Sequence, residues 1–246
     1  MTTYVYGIAS SSHPALPEGM EGIGRPACTV RVLKNGELAA IVSDAPEDLK
    51  PKRRDLLAHQ NVLSEAGAAG SVLPMRFGSL APDDETVVSV LGERAGHYEE
   101  RLRTLDGKVE YNVKATHHEQ AVLHQVLAEN PELRAMVEAN QRQGGGTHEQ
   151  KLQLGEMVTS NVRAREESDA IEVRRALEPA AEAVADGPES TGWLANISFL
   201  VNRTSAEGLL SAVEELRSTQ PHLDLRVHGP LPPYSFVDPG PAKLAE

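Results

Sequence analysis

Residues 72–78 constrain the fold of this chain more than any other segment. The segment has the apolar composition of a strand, but it contains Pro74, which has no backbone N–H, and the cation Arg76. Proline within a sheet is confined to edge strands and bulges, and an unpaired guanidinium is costly to bury. We therefore predict an edge strand, or the end of one, with Arg76 held by a partner or facing solvent. Two interpretations stay open: the edge meets another molecule, or Pro74 only protects it from aggregation while Arg76 pairs with a local carboxylate.

Charge and composition exclude several classes of function. The chain has 246 residues and a formal net charge of −12, and its acidic excess is spread over both halves. Binding of a phosphate backbone and electrostatic docking on an anionic membrane both need a basic face, so we expect neither partner. Cys28 is the single cysteine, which excludes an internal disulfide and a cysteine-based zinc cluster.

The sequence gives no sign of export or of membrane insertion. Its first residues lack a cationic leader followed by a sustained apolar stretch. No run approaches the roughly 18 to 20 apolar residues that a membrane-spanning helix needs. We therefore expect a soluble, cytoplasmic protein.

The length favours two domains, and we place the first at residues 1–106. The dipeptide Asn35-Gly36 is a strong hairpin signal between two apolar runs, so this domain begins as a meander of strands. Apolar residues at helical spacing then predict two amphipathic helices. The predicted strands are at residues 4–9, 28–33, 38–43 and 72–78, and the predicted helices are at 48–67 and 83–102.

The second domain, residues 107–246, is also predicted to be α+β. Residues 119–185 predict a long helical hairpin of coiled-coil character, which Pro179 should kink or end. A proline-rich tail follows the last strand and favours an extended segment laid over a surface, with Tyr234 or Phe236 as anchor. The predicted strands are at residues 109–116, 193–201 and 223–228, with a helix at 206–218.

The motifs and spacings in the sequence predict no catalytic, cofactor or metal site. His117, His118 and His124 cluster at a predicted helix start, and His117 and His124 share a helix face. No third ligand for a metal has suitable spacing, so we interpret all three as surface histidines. Arg53 and Arg54 belong to a basic run at a helix N-terminus. Such a run is usually a solvated face, but the helix dipole disfavours cations at this end, so a docking role for either arginine stays open as the alternative. We therefore predict a binding or assembly protein that needs no cofactor, rather than an enzyme.

Five ordered blocks of the chain are distinctive, at residues 4–8, 55–60, 72–78, 110–114 and 229–236. Together these blocks resemble one known family, the GvpF/GvpL gas vesicle proteins. The resemblance runs essentially end to end, although Leu231 stands where the family often has tryptophan. It implies a modified ferredoxin-like N-terminal domain and a C-terminal α+β domain with a helical-hairpin extension.

The resemblance also implies an accessory role in gas vesicle formation. The expected partner is the small, very hydrophobic shell protein. This chain would bind it either as a chaperone before assembly or as a minor component of the vesicle. An acidic carrier with an edge strand could cap the β segments of such a client by strand addition. The alternative is a scaffold that links other gas vesicle accessory proteins through the long helix. The candidate partner-binding residues are Arg53, Arg54, His59, Pro74, Arg76, Phe77, Tyr234 and Phe236.

Overall fold

The computed structural model describes residues 1–142, 144–188 and 192–238. It is 49% helical and 25% strand, with two antiparallel sheets, which confirms the predicted α+β class. Within the described residues, no helix combines the length and the apolar character needed to cross a membrane.

The chain forms two compact units, and the first is discontinuous in sequence. Residues 1–110 and the tail from Gly229 make up the first unit, and residues 111–228 make up the second. The predicted division at residue 106 assigned the tail to the second domain, whereas its contacts lie with the first. One such contact joins the tail to Glu110, whose carboxylate accepts a hydrogen bond from the backbone N–H of Ser235 at 2.8 Å.

The first unit contains a five-stranded sheet and three helices. The sheet has the order β2-β3-β1-β4, with β5 beside β1. Gly36 takes the left-handed conformation at φ 57° in the β2–β3 turn, which confirms the hairpin predicted from Asn35-Gly36. The elements are β1 (Thr3–Ser10), β2 (Arg31–Asn35), β3 (Leu38–Asp44), α1 (Arg53–Ala69), β4 (Val72–Pro74), β5 (Leu80–Ala81), α2 (Asp84–Glu93) and α3 (Ala95–Leu105).

Four predicted elements of this unit are wrong in extent. The helix expected at residues 48–67 runs from Arg53 to Ala69, and the strand expected at residues 72–78 ends at Pro74. The strand expected at residues 28–33 begins at Arg31, because Cys28 bonds back to Ile23 and Gly22 within an irregular loop. The helix expected at residues 83–102 is two helices that meet at Arg94, a residue with non-helical ψ of 19°. Glycines at positions 92 and 96 flank the break, and glycine is a poor helix former.

The edge position predicted for residues 72–78 is confirmed, but the edge is covered. β4 ends the sheet order, and all three of its residues are buried. Helices α1 and α3 both contact β4. Arg76, which follows the strand, is exposed to solvent. In the described part of the chain only its backbone is hydrogen-bonded, through the carbonyl that accepts from Ser79.

The second unit packs helices against one another and carries most of a four-stranded sheet. The sheet has the order β7-β8-β6-β9. β6 and β9 each begin or end a few residues inside the first unit, so the chain passes between the units along these two strands. The elements are β6 (Lys108–His117), α4 (Glu119–Glu129), α5 (Pro131–Arg142), α6 (His148–Leu177), β7 (Ala183–Asp186), β8 (Ala195–Asn202), α7 (Ala206–Thr219) and β9 (Leu223–Leu231).

Local signals fix both ends of the long helix α6. Thr147 and Gln150 form a capping box, in which each side chain accepts a hydrogen bond from the other residue's backbone N–H. The helix ends at Leu177, before Pro179, and the chain then enters β7. The prediction that Pro179 ends the helix is confirmed, whereas the expected extent to residue 185 is wrong. Both α4 and α5 contact α6.

We predict that Gly7→Ala lowers the stability of the first unit. A Cβ on Gly7 would lie 2.7 Å from Val72 Cγ1 and 2.8 Å from the carbonyl oxygen of Leu73. The backbone oxygen cannot swing away, so we expect a loss of about 1 to 3 kcal/mol, seen as a lower urea midpoint. Gly96→Ala is the matched control, since a Cβ there meets open space and should stabilise α3. Equal midpoints for the two variants would contradict the close approach.

Candidate partner-binding site

His59 lies at the centre of an aromatic cluster in the first unit. The centroid of its ring is 5.7 Å from that of Tyr4, 5.6 Å from Tyr6, 5.8 Å from Phe77 and 6.5 Å from Tyr234. Such separations are typical of interacting rings. The cluster therefore joins three of the candidate residues, which are distant in the sequence.

Strand and helix periodicity place the rings of Tyr4, Tyr6 and His59 in the interior of the unit. Tyr4 and Tyr6 are two residues apart on β1 and are both fully buried, as expected for one face of a strand. The buried face of α1 follows helical spacing through Asp55, His59, Val62, Leu63 and Ala66. Phe77 comes from the loop after β4, and Tyr234 comes from the tail. The cluster is complete only when the tail packs on the unit.

Hydrogen bonds fix the tautomer of His59. Its Nε2 lies 3.1 Å from the carbonyl oxygen of Met75, which can only accept, so Nε2 carries the proton. Nδ1 therefore accepts from the hydroxyl of Tyr4 at 2.8 Å. Burial lowers the pKa of His59, and the bond to Met75 opposes this shift. Both ring nitrogens are occupied and the ring is neutral, so His59 is a structural group and not an available base.

Two charged side chains hold the tail in place. Glu110 accepts hydrogen bonds from the backbone N–H and the hydroxyl of Ser235, both at 2.8 Å. Arg101 donates to the carbonyl oxygens of Phe236 and Val237. Burial, with a smaller contribution from the charge of Glu110, raises the pKa of Tyr234 to about 12. The prediction that the tail is anchored by an aromatic residue therefore has a polar counterpart in these charge-assisted bonds.

The two arginines at the start of α1 differ in what they contact. Arg54 pairs with the buried carboxylate of Asp55 at 3.0 Å, and the backbone N–H of Gly24 donates to the same carboxylate at 3.0 Å. Burial alone would raise the pKa of Asp55, but Gly24 and Arg54 outweigh it and the pKa is lowered. Arg53 is exposed and makes no side-chain bond within the described residues. Arg54 thus supports the fold, and Arg53 is available to a partner.

The exposed side of α1 presents apolar surface that the sequence prediction missed. Leu56 is 41% exposed and Leu57 is 54% exposed. Helical spacing places both beside Arg53 and Gln60, because residues three or four apart are neighbours on a helix. We call Arg53, Leu56, Leu57 and Gln60 the α1 outer face. Both leucines belong to the apolar spacing that predicts this helix from the sequence, but the buried face is formed by other residues of α1.

The candidate residues therefore separate into three groups. His59, Phe77 and Tyr234 form the cluster, and Arg53 and Arg76 are exposed cations on its surrounding elements. The remaining three have contacts that stabilise the unit: Arg54, Pro74 and Phe236. Since Pro74 and Phe236 are buried, a partner could touch them only if this unit opened.

A second cluster lies in the second unit, around the carboxylate of Asp169. The Nε2 atoms of His117 and His222 lie 2.7 and 2.9 Å from Asp169 Oδ2, and Arg165 Nε lies 2.9 Å from Oδ1. Burial would raise the pKa of Asp169, but the hydrogen bonds from these three residues lower it. The interpretation of His117 as a surface histidine is wrong, because its side chain is only 7% exposed. Sequence spacing missed the cluster because its members are about fifty residues apart.

We predict that His59 makes the first unit less stable in mild acid. Its folded pKa lies below the ordinary value of 6.5, so the unfolded chain takes up a proton first as the pH falls. Its contribution to stability is complete above that ordinary value and is lost as the pH falls through the folded pKa. The urea midpoint of the wild type should therefore fall more steeply between about pH 7 and about pH 5 than that of His59→Gln. His124→Gln, at an exposed position, is the control, and parallel profiles for wild type and His59→Gln would refute the prediction.

We predict that Glu110→Ala releases the tail. The substitution removes both bonds to Ser235, and hydrogen bonds to a charged group are worth about 1.5 to 3 kcal/mol each. The expected result is faster proteolytic cleavage after residue 228 together with a lower unfolding midpoint. Glu65→Ala, at an exposed position of α1, should change neither quantity. Unchanged cleavage in Glu110→Ala would show that other contacts hold the tail.

Comparison with known proteins places the chain in a family. The family model described as gas vesicle synthesis protein GvpL/GvpF matches residues 2–238. Gas vesicle protein F of Streptomyces sp. (strain CB03234) is 64% identical over 238 residues, which cover 97% of this chain and 100% of the relative. Gas vesicle protein F of Dolichospermum flosaquae is 26% identical over 240 residues, covering 95% of this chain and 96% of the relative.

Solved structures agree with this sequence evidence. The crystal structure of GvpF from Anabaena sp. PCC7120 matches with a TM-score of 0.75 at 26% identity, covering 97% of this chain and 99% of that one. GvpF from Microcystis aeruginosa matches in fold with a TM-score of 0.71 at 24% identity, covering 96% and 99%. The match over nearly the whole length shows that this chain belongs to the GvpL/GvpF family of gas vesicle synthesis proteins.

Proposed function

We propose that this chain binds the small hydrophobic shell protein during gas vesicle synthesis, as a chaperone before assembly or as a minor component of the vesicle. It acts in the cytoplasm and at the vesicle, by holding another polypeptide and without catalysis. Family membership supports the process, and the surface of the first unit supports the partner. The net charge of −12 would keep a complex with an apolar client dispersed.

The observation that carries this proposal is the α1 outer face. It combines two leucines, exposed by 41% and 54%, with the cation Arg53, whose side chain has no partner among the described residues. Full burial of an exposed leucine contributes about 1.5 to 3 kcal/mol, and these two leucines have about half of their surface left to bury against a partner. A rigid helix face of this kind suits an apolar client segment, which gains contact area without reordering the carrier. The aromatic cluster behind α1 fixes the helix and so prepares the face.

The burial of β4 disfavours strand addition at this edge, which is the one that the sequence predicts. All three residues of β4 are buried, whereas all five residues of β2, at the other end of the sheet, are at least partly exposed even though α2 contacts this strand. Val32 on β2 is 42% exposed and would extend the apolar contact. We therefore assign any backbone pairing with the client to β2 and keep α1 as the main contact.

A scaffold role through α6 is the second candidate function. Leu152 and Ile171 on this helix are 56% and 68% exposed, more than either leucine of the α1 outer face. Exposed apolar side chains on a long helix fit a partner helix, as in other helix-to-helix contacts. In this role the chain would link accessory proteins and leave the shell protein to another factor.

We predict that Leu56→Gln combined with Leu57→Gln weakens binding of the shell protein at least about tenfold, which corresponds to 1.4 kcal/mol. Binding is measured by co-purification and then by titration of the purified full chain. Both leucines are exposed, so the double variant should keep the unfolding midpoint of the wild type. Leu210→Gln is the matched control, because Leu210 is a 38% exposed helical leucine outside this face.

The same experiment separates the two functions. The double variant Leu152→Gln with Ile171→Gln should leave shell-protein binding intact. It should reduce the capture of other accessory proteins only if the scaffold role holds. Wild-type affinity for the shell protein in the α1 variant would exclude the α1 outer face. Loss of shell-protein binding in the α6 variant alone would move the binding site to α6.

A further inference from the structure

We propose that His117, Asp169 and His222 form a binding site for a divalent transition-metal ion, and that Zn²⁺ is the ion their chemistry suits. Two imidazole nitrogens and one carboxylate oxygen are a ligand set that Zn²⁺ accepts, with a fourth position left for water or another ligand. The ligand atoms of the three residues all lie within 4.8 Å of one another. This inference does not depend on the proposed function.

The distances in the cluster fit a metal-free form of such a site. Both Nε2 atoms lie at hydrogen-bond distance from Asp169 Oδ2, at 2.7 and 2.9 Å. In a tetrahedral site with bonds of about 2.1 Å, ligand atoms are roughly 3.4 Å apart. Each imidazole nitrogen would therefore move about 0.5 to 0.7 Å away from Asp169 Oδ2, and the ligand atoms that are farthest apart, within 4.8 Å of one another, would move closer together. Side-chain rotation is the movement expected to supply these shifts.

Burial makes the cluster different from an accidental group of surface ligands. The side chains of His117, Asp169 and His222 are 7%, 0% and 3% exposed. Buried polar atoms are normally hydrogen-bonded, yet His117 Nδ1 and Asp169 Oδ1 have no hydrogen bond of good geometry within the described chain. His117 Nε2 carries the proton in the metal-free form, because the Asp169 carboxylate can only accept. Nδ1 has no hydrogen-bond partner within the described residues, so the proton can move to Nδ1 and leave the lone pair of Nε2 for a metal.

Arg165 is the cation that a metal ion must displace. Its guanidinium pairs with Asp169, and it also donates two bonds, at 3.0 and 3.1 Å, to the carboxylate of Glu129. The two carboxylates and the guanidinium together carry a charge of −1, which favours a cation. Since Arg165 is 17% exposed and Glu129 is 53% exposed, the guanidinium can keep its outer partner when the metal takes Asp169.

The location of the ligands indicates a structural role for the ion. His117 ends β6, Asp169 lies in α6, and His222 directly precedes β9. A shared ion would join α6 to two neighbouring strands of the sheet in the second unit. Because the three ligands are separated by about fifty residues each, the unfolded chain could not hold the ion in the same way, and binding would stabilise the fold.

The test is a titration of the untagged, chelator-treated full chain with Zn²⁺ by calorimetry. We expect one Zn²⁺ per chain, and at least a tenfold loss of affinity in His117→Gln and in His222→Gln. Glutamine keeps a donor for Asp169, so both variants preserve the hydrogen bonding of the metal-free form. His124→Gln is the control, since His124 is an exposed histidine of α4 near the cluster in sequence.

A measurement on the wild type keeps the test independent of folding in the variants. Co²⁺ in place of Zn²⁺ should give the intense visible absorption of a four-coordinate site, because coordination geometry is diagnostic. Absence of binding, a six-coordinate Co²⁺ spectrum, wild-type affinity in both ligand variants, or an equal loss in His124→Gln would each overturn the proposal.

Discussion

The neutral ring of His59 is the contact on which the first unit depends. It accepts from the hydroxyl of Tyr4 on β1 and donates to the carbonyl of Met75 after β4, while its own backbone belongs to α1. One imidazole thus connects the sheet, the helix and the loop that carries Arg76. A charged ring would lose this pattern, because Nδ1 would become a donor facing a hydroxyl that already donates to it. The position of the exposed α1 outer face therefore depends on the buried ring of His59.

Burial separates the residues that stabilise the first unit from those that we propose to bind a partner. Residues with hydrogen bonds in the interior, such as His59 and Asp55, have shifted pKa values because the protein interior or a fixed neighbour changes the cost of their charge. The neighbouring residues of the α1 outer face are exposed, and their side chains form no hydrogen bond or ion pair with other described residues. A binding surface prepared by a rigid polar and aromatic layer costs little ordering when a client arrives.

Much of the fold could be predicted from the sequence where the signal is local. The Asn35-Gly36 turn, the acidic start of α2 at Asp83 and the end of α6 before Pro179 each depend on a few neighbouring residues. Errors occurred where distant residues decide. His117 is predicted at the surface but contacts Asp169 and His222, which are about fifty residues or more away in the sequence. Cys28 is a local exception: it is predicted in a strand, but its backbone hydrogen-bonds to Ile23 within a loop, and apolar composition does not distinguish the two. The two exposed leucines of α1 were also missed, because a stripe of apolar residues does not show which of them a neighbouring element covers.

The discontinuity of the first unit has a consequence for its biogenesis. Domains generally form in order of synthesis, but this unit needs its last segment, which bonds to Glu110 and Arg101 and brings Tyr234 against His59. A ribosome adds about 5 to 20 residues per second, so the N-terminal sheet waits on the order of ten seconds while the second unit is translated. The first unit of the nascent chain therefore stays incomplete until residues 229–238 have been synthesised and can pack against it.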